Sequence, residues 1–138
     1  MKNVLVLCTG NSCRSQMAEG YLKYFAKEKA KIYSAGIETH GLNPGAIAAM
    51  KRDGIDIAQH TSNHVDEYKN IQFDHIITVC DHAKENCPYI PSQAQRHHHN
   101  FFDPSKVKGT DEELMNAFDK ARNEIRSYCK KFVDENLN

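Results

Sequence analysis

A short apolar run, followed at once by a cysteine and a polar loop, constrains the fold of this chain more than any other feature. Residues 3–7 are rich in Val and Leu, which is typical of a strand buried on both faces of a sheet. The loop CTGNSCR occupies residues 8–14, and apolar residues at four-residue spacing from Met17 onward predict an amphipathic helix over residues 15–29. A strand, a tight loop and a helix in this order favour a parallel sheet, in which ligands bind at the carboxyl ends of the strands.

The remainder of the chain alternates between strand and helix patterns. Further strands are predicted at residues 31–35 and 73–79 and, more weakly, near residues 99–102. Further helices are predicted over residues 43–54, over residues 62–68 with Ser62 as the cap, and from Thr110 onward, where Glu113 completes a capping-box pattern. These elements predict one domain, residues 1–138, built on a four-stranded parallel sheet with helices on both faces.

The composition excludes several classes of function. The 138 residues contain 18 Lys plus Arg and 18 Asp plus Glu, whereas a broad nucleic-acid surface needs a basic excess. No apolar run reaches the roughly 20 residues of a membrane span, and the N-terminus is a poor signal peptide. We therefore expect a cytoplasmic protein, taken to be a monomer, that binds neither nucleic acid nor membrane.

Because cytoplasmic thiols are kept reduced, five cysteines suggest catalysis, metal binding or burial rather than a disulfide framework.

The loop after the first strand has the composition of an oxyanion site. Backbone N–H groups between a strand and a helix N-terminus can bind a tetrahedral anion, and Arg14 adds a fork of donors. The same positive field predicts a depressed pKa and a nucleophilic thiolate at Cys8. Ser15 is expected to donate to the Cys8 sulfur and Asn11 to hold the loop's shape. The expected anion-binding residues are Gly10, Asn11, Ser12, Cys13, Arg14 and Ser15. The alternative is a buried cysteine beside a surface arginine.

Two further cysteines, Cys80 and Cys87, follow the third predicted strand. Since the carboxyl ends of parallel strands share one edge, Cys80 is expected near Cys8. A zinc site, two unrelated buried thiols and a redox pair are the three interpretations, and the position of Cys80 favours the redox pair.

Cys129 lies on the apolar side of the last predicted helix and is expected in the core. The run His97 to His99 is not expected to bind a metal, because adjacent strand residues alternate faces.

The stretch CTGNSCRSQMAEG resembles the signature of the low-molecular-weight tyrosine phosphatase fold, and most closely that of the arsenate reductases built on this fold. The stretch YSAGIETHGLNPGAIAAM, residues 33–50, is similar to the same reductases. The resemblance extends from Lys2 to about Pro104, and more loosely through the last helix. It implies a low-molecular-weight phosphatase-like sheet and an oxyanion substrate.

The resemblance to thioredoxin-coupled arsenate reductases also implies a relay. Cys8 attacks arsenate, Cys80 attacks the Cys8 adduct and releases arsenite, and Cys87 moves the disulfide to Cys80–Cys87 for reduction by thioredoxin. Asp103, which precedes a proline, is implied as the general acid, with Arg14 as the anion clamp. Whether thioredoxin, a glutaredoxin or a small thiol is the reductant stays open. The alternatives are a tyrosine phosphatase with incidental thiols and a non-enzymatic thiol sensor or binder of metalloids.

One position departs from the family pattern. Relatives hold potassium with side chains that match Asn11, Glu19 and Ser34, together with an aspartate that is replaced here by Asn63. Losing this charge is expected to weaken potassium binding, so no cofactor is assigned.

Overall fold

The computed structural model describes residues 1–81 and 94–137. Its sheet has four parallel strands in the order β2-β1-β3-β4. The strands are β1 Lys2–Cys8, β2 Ala30–Gly36, β3 His75–Thr78 and β4 Gln95–His98. The α-helices of the described part are α1 Arg14–Ala26, α2 Pro44–Arg52 and α3 Asp111–Asn136. The predicted parallel α/β fold is therefore confirmed.

Burial follows from the sequence pattern of each element. Five consecutive buried residues, Val4 to Cys8, show that both faces of β1 are covered. The apolar stripe of α3 packs against α1 and α2, and Cys129 is 1% exposed, as expected for a core residue. None of the helices within residues 1–81 and 94–137 is both long and apolar enough to cross a membrane.

Two predicted helix starts are confirmed by their caps. The Asn43 side chain accepts a hydrogen bond from the Gly45 N–H, and Pro44 occupies the first helical position of α2. Thr110 and Glu113 form the reciprocal capping box of α3. The first helix ends at Ala26, three residues before its predicted end at residue 29, and a 3-10 turn covers Lys27–Lys29.

The prediction that Ser62 caps a helix was wrong. The short element is a 3-10 turn, Val65–Tyr68, and its cap is His64, whose ring accepts from the Asp66 N–H. Ser62 instead donates to the Gly10 carbonyl. Its hydroxyl therefore supports the loop after β1 rather than a helix terminus.

The positions of the last two strands also differ from prediction. β3 is shorter than the predicted residues 73–79, and β4 precedes the predicted residues 99–102. β4 has the sequence QRHH and two exposed residues, so it carries no apolar pattern and is defined only by its backbone pairing with β3. After β4, the N–H groups of His99 and Phe101 donate to the carbonyls of Thr78 and Val79. These hydrogen bonds bring the Asp103 segment to the carboxyl edge of the sheet.

Candidate active site

The loop after β1 is shaped by hydrogen bonds to its carbonyl groups. The carbonyls of Thr9, Gly10 and Ser12 accept from the N–H groups of Glu38, His40 and Asn43 at 2.9, 3.0 and 2.9 Å. Because a trans peptide points its C=O and N–H in opposite directions, the N–H groups that follow these carbonyls face away from residues 38–43. This is the arrangement that an anion-binding nest at the start of α1 requires, and anion binding there stays a prediction.

Asn11 holds this loop in place, as expected. Its φ of 48° lies in the left-handed region, which Asn tolerates better than most residues. Its side-chain Nδ2 donates to the carbonyls of Ser34 and Asn63, both at 3.4 Å. Its Oδ1 accepts from the Ser15 hydroxyl at 2.7 Å. The single Ser15 proton is thus directed to Asn11, and the prediction that it donates to the Cys8 sulfur was wrong.

Cys8 and Cys80 meet in the same buried site. They are 4% and 3% exposed, both line one cavity, and the Thr9 hydroxyl lies 3.3 Å from the Cys80 sulfur. The hydrogen bond with Cys80, followed by burial, raises the pKa of Cys8 although Arg14 opposes this. The predicted depressed pKa was therefore wrong for this state of the site. Cys80 was expected near Cys8, but the prediction rested on the positive field of the loop and Arg14 and left out the effects of the second thiol and of burial.

Arg14 and Asp103 lie next to each other in the same site. Arg14 is 9% exposed. Its NH1 group donates to the Phe101 carbonyl at 2.8 Å, and its NH2 group lies 3.6 Å from Asp103 Oδ2. The other Asp103 oxygen accepts from the N–H and hydroxyl of Ser105 at 3.0 and 2.6 Å. One carboxylate oxygen is therefore anchored, while the other faces the guanidinium.

A cavity of about 530 Å³ joins these groups. The predicted residues that line it are Cys8, Gly10, Ser12, Cys13, Arg14, Cys80 and Asp103. Asn11 and Ser15 are both fully buried and support the loop through their mutual hydrogen bond. Burial, together with Asp103, raises the pKa of Cys13 to about 12. Cys87 lies outside the described residues.

The cavity also contains residues that the sequence reasoning missed. They are Thr9, His40, Asp81, Asn100, Ser105 and Lys106. Thr9 is inside the quoted loop motif, and Lys106 comes three residues after Asp103, so proximity in sequence was a usable signal for both. His40 lies in the site because its backbone N–H donates to the Gly10 carbonyl. No local sequence pattern predicts this hydrogen bond.

Three of the four residues matched to a potassium site, Glu19, Ser34 and Asn63, line a second cavity of about 660 Å³. Glu19 accepts from the Ser34 hydroxyl through one oxygen, and the Lys23 ammonium lies 2.5 Å from the other. The Asn63 Oδ1 accepts from Thr61 at 2.7 Å. Because an internal ammonium already pairs with Glu19, this set does not offer a free carboxylate to a metal ion. Weak potassium binding stays a prediction, and no chemical step is assigned to the ion.

The three consecutive histidines separate in the structure. His97 contacts His75 with their ring nitrogens 3.1 Å apart, His98 contacts Asp81 and Thr78, and His99 stacks near Phe101. Within residues 1–81 and 94–137, no group of three or more His, Cys, Asp or Glu side chains is arranged to hold a metal ion.

The fold and the site together define a phosphatase-like α/β domain with a cysteine-arginine oxyanion loop after its first strand. The family model for low molecular weight phosphotyrosine protein phosphatases matches residues 3–138. The chain belongs to this family.

Similar proteins divide between two named activities. Proteins named arsenate reductase from Halalkalibacterium halodurans and Bacillus subtilis are 47% and 46% identical, each with 96% of both chains covered. A solved structure described as an arsenate reductase in the phosphate binding state has a TM-score of 0.80 at 27% identity, with both chains fully covered. A low molecular weight protein tyrosine phosphatase from T. tengcongensis has a TM-score of 0.79 at 22% identity and 98% and 99% coverage, which shows the shared fold alone.

Proposed function

We propose that this protein reduces arsenate to arsenite through a relay of three cysteines and is regenerated by thioredoxin. The observation that carries the proposal is that the buried Cys8 and Cys80 thiols line one oxyanion cavity together with Arg14. A phosphatase of this fold requires one thiol in its anion site, whereas a reductase requires a second within attacking distance. The arsenate reductase relatives support the same choice.

The first step uses the loop, Arg14 and Asp103. Arsenate is held by loop N–H groups and by the Arg14 guanidinium, which turns from Asp103 to the anion. The Cys8 thiolate attacks arsenic, an S–As bond forms, and one As–O bond breaks. Asp103 protonates the departing oxygen, so water leaves and arsenic remains As(V).

The second step transfers two electrons. The Cys80 thiolate attacks the Cys8 sulfur, a Cys8–Cys80 disulfide forms, and the S–As bond breaks. Its electron pair passes to arsenic, which leaves as arsenite, As(III), so the two thiols are oxidised as arsenic is reduced. The Thr9 hydroxyl, 3.3 Å from the Cys80 sulfur, is positioned to donate to that thiolate. Cys87 then attacks Cys80 and frees Cys8, and the thioredoxin dithiol reduces the resulting Cys80–Cys87 disulfide. The proposed setting is the cytoplasm, where reduced thioredoxin is present, and the proposed state is a monomer.

The test is steady-state arsenite production with thioredoxin, thioredoxin reductase and NADPH, compared with glutathione and glutaredoxin. We expect turnover with thioredoxin, no turnover in Cys80→Ser, and at most one arsenite per protein in Cys87→Ser. Cys129→Ser is the matched control, because Cys129 is buried away from the cavity beside the Ala18 carbonyl. Full multiple turnover in Cys87→Ser contradicts the relay.

The phosphatase is the second candidate because the family model carries that activity in its description. It predicts rapid hydrolysis of an aryl phosphate that survives replacement of both Cys80 and Cys87. A slow hydrolysis does not discriminate, since the anion cradle is common to both activities. Rapid hydrolysis in the double variant, with no arsenite formed by the unmodified protein, identifies a phosphatase.

A further inference from the structure

Side chains from three segments converge on Asp81, the residue that follows Cys80. His98 Nε2 lies 2.7 Å from Asp81 Oδ1, and His98 Nδ1 lies 2.7 Å from the Thr78 hydroxyl. The Asp81 N–H donates to Asn100 Oδ1 at 3.2 Å. Because a carboxylate only accepts, Nε2 carries a proton and donates it to Asp81. The chain just beyond Cys80 is thus tied to the end of β3, to β4 and to the segment after β4.

We propose that this group, the Asp81 latch formed by Thr78, Asp81, His98 and Asn100, holds the Cys80 thiol against Cys8. Its members act as positioning residues, since the Asp81–His98 contact bears on the reacting sulfur through the backbone of Cys80. The proposal concerns the step in which Cys80 attacks the Cys8 adduct, so it rests on the proposed function.

The need for a latch follows from where regular pairing stops. The β3 ladder ends at Thr78, and the Val79 N–H still donates to the Leu7 carbonyl at 3.0 Å. Cys80 lies beyond this ladder, and its sulfur must meet a single partner atom in line for thiol exchange. The adjacent Asp81 contacts therefore fix the direction in which the Cys80 side chain leaves the sheet.

The latch is also built to open. The side chain of Asp81 is 65% exposed and that of His98 is 23% exposed, so water can replace their hydrogen bond at moderate cost. The proposed relay requires such release, because Cys80 must face Cys8 first and Cys87 afterwards. A fully buried ion pair in this position would oppose the second transfer.

The first experiment measures how often Cys80 becomes accessible in the reduced protein. Cys80 is 3% exposed. The rate of its alkylation by N-ethylmaleimide, measured by peptide mass spectrometry, therefore reports how often its thiol leaves this buried position. We expect Asp81→Asn and His98→Gln each to accelerate Cys80 alkylation about three- to tenfold, the range for a partly exposed charged hydrogen bond. The double variant should exceed the faster single variant by less than about twofold, because both remove one contact.

Two controls separate the latch from simple electrostatics and from loss of stability. Loss of charge alone predicts acceleration in Asp81→Asn only, since removing a carboxylate favours the Cys80 thiolate and removing an imidazole does not. Asp134→Asn removes a carboxylate of similar exposure, 54%, from the Lys130 pair on α3 and should leave Cys80 unaffected. Cys129, 1% exposed, reports global unfolding. Unchanged Cys80 rates, acceleration in Asp81→Asn without acceleration in His98→Gln, or equal acceleration at Cys129 overturns the proposal.

The second experiment places the latch in the reaction. In a Cys87→Ser background and at saturating arsenate, single-turnover arsenite release should slow about three- to tenfold in Asp81→Asn. Unaltered release with accelerated alkylation shows that the contact does not position the attack, which overturns the inference. If the Cys87→Ser protein releases no arsenite at all, the proposed function fails, and this outcome is distinct because the alkylation result requires no arsenate.

Discussion

Asn11→Ala is the perturbation whose effect the site geometry determines most directly. Alanine at a φ of 48° is strained by about 1–2 kcal/mol. The replacement also removes the good hydrogen bond from Ser15 at 2.7 Å and two long ones to carbonyls at 3.4 Å, together about 1–2 kcal/mol. We expect the free energy of unfolding to fall by about 2–4 kcal/mol.

The assay is urea unfolding of Asn11→Ala beside Asn11→Gly. Glycine adopts the left-handed angle freely but loses about 0.5–1 kcal/mol of chain entropy on folding, so Asn11→Gly should be the more stable variant by about 0.5–1 kcal/mol. Phosphate affinity, measured by calorimetry, should fall in both variants because the loop loses its anchor to β2. A loss below about 1 kcal/mol in Asn11→Ala, or Asn11→Gly being the less stable variant, refutes the assignment of Asn11 as the loop's anchor.

Three further outcomes follow from the contacts. Burial lowers the pKa of both His75 and His97, and for His75 the neighbouring His97 ring adds to this effect. The free energy of unfolding should therefore have its full value above about pH 6.5, the ordinary histidine pKa, and should decline below it. Urea unfolding at pH 7.5 and 5.0 should show this decline, and His75→Gln should show a smaller one. In Gly10→Ala the new Cβ would lie 2.5 Å from the His40 ring, so the variant should lose about 1–3 kcal/mol, and His40→Ala should restore most of that loss if the contact is its cause. Arg14→Lys cannot form a bidentate clamp, so phosphate affinity should fall at least about tenfold by calorimetry, and a change under about twofold would remove Arg14 from the anion site.

The sequence predicted best what is encoded locally. The unit of β1, loop and α1 rests on consecutive apolar residues, a glycine-containing loop and four-residue spacing, and all of these lie within 29 residues. The capping box at Thr110 likewise depends on side chains three positions apart. Such signals do not require knowledge of the remainder of the fold.

The errors occurred where distant segments decide the outcome. β4 is a polar strand whose only definition is its pairing with β3, so its periodicity is uninformative. The proton of Ser15 goes to Asn11 because the loop turns through a left-handed residue. The pKa of Cys8 depends on the Cys80 thiol, 72 positions away, and the loop motif alone does not indicate the size of that effect.

Both candidate activities need a Cys8 thiolate, and the effect of the Cys80 thiol on Cys8 provides a test that separates them. A phosphatase needs a Cys8 thiolate and gains nothing from Cys80, whose hydrogen bond is the largest cause that raises this pKa. Cys80→Ala should therefore lower the pKa of Cys8, leaving burial opposed by Arg14, and should accelerate its alkylation by iodoacetamide near pH 7. The measurement is the pH profile of Cys8 alkylation, with Cys129→Ala as the control. If the site serves the reductase, the same variant loses arsenite production while its Cys8 becomes more reactive. An unshifted alkylation profile contradicts the coupling between the thiols, and with it the argument that Cys80 is more than an incidental neighbour.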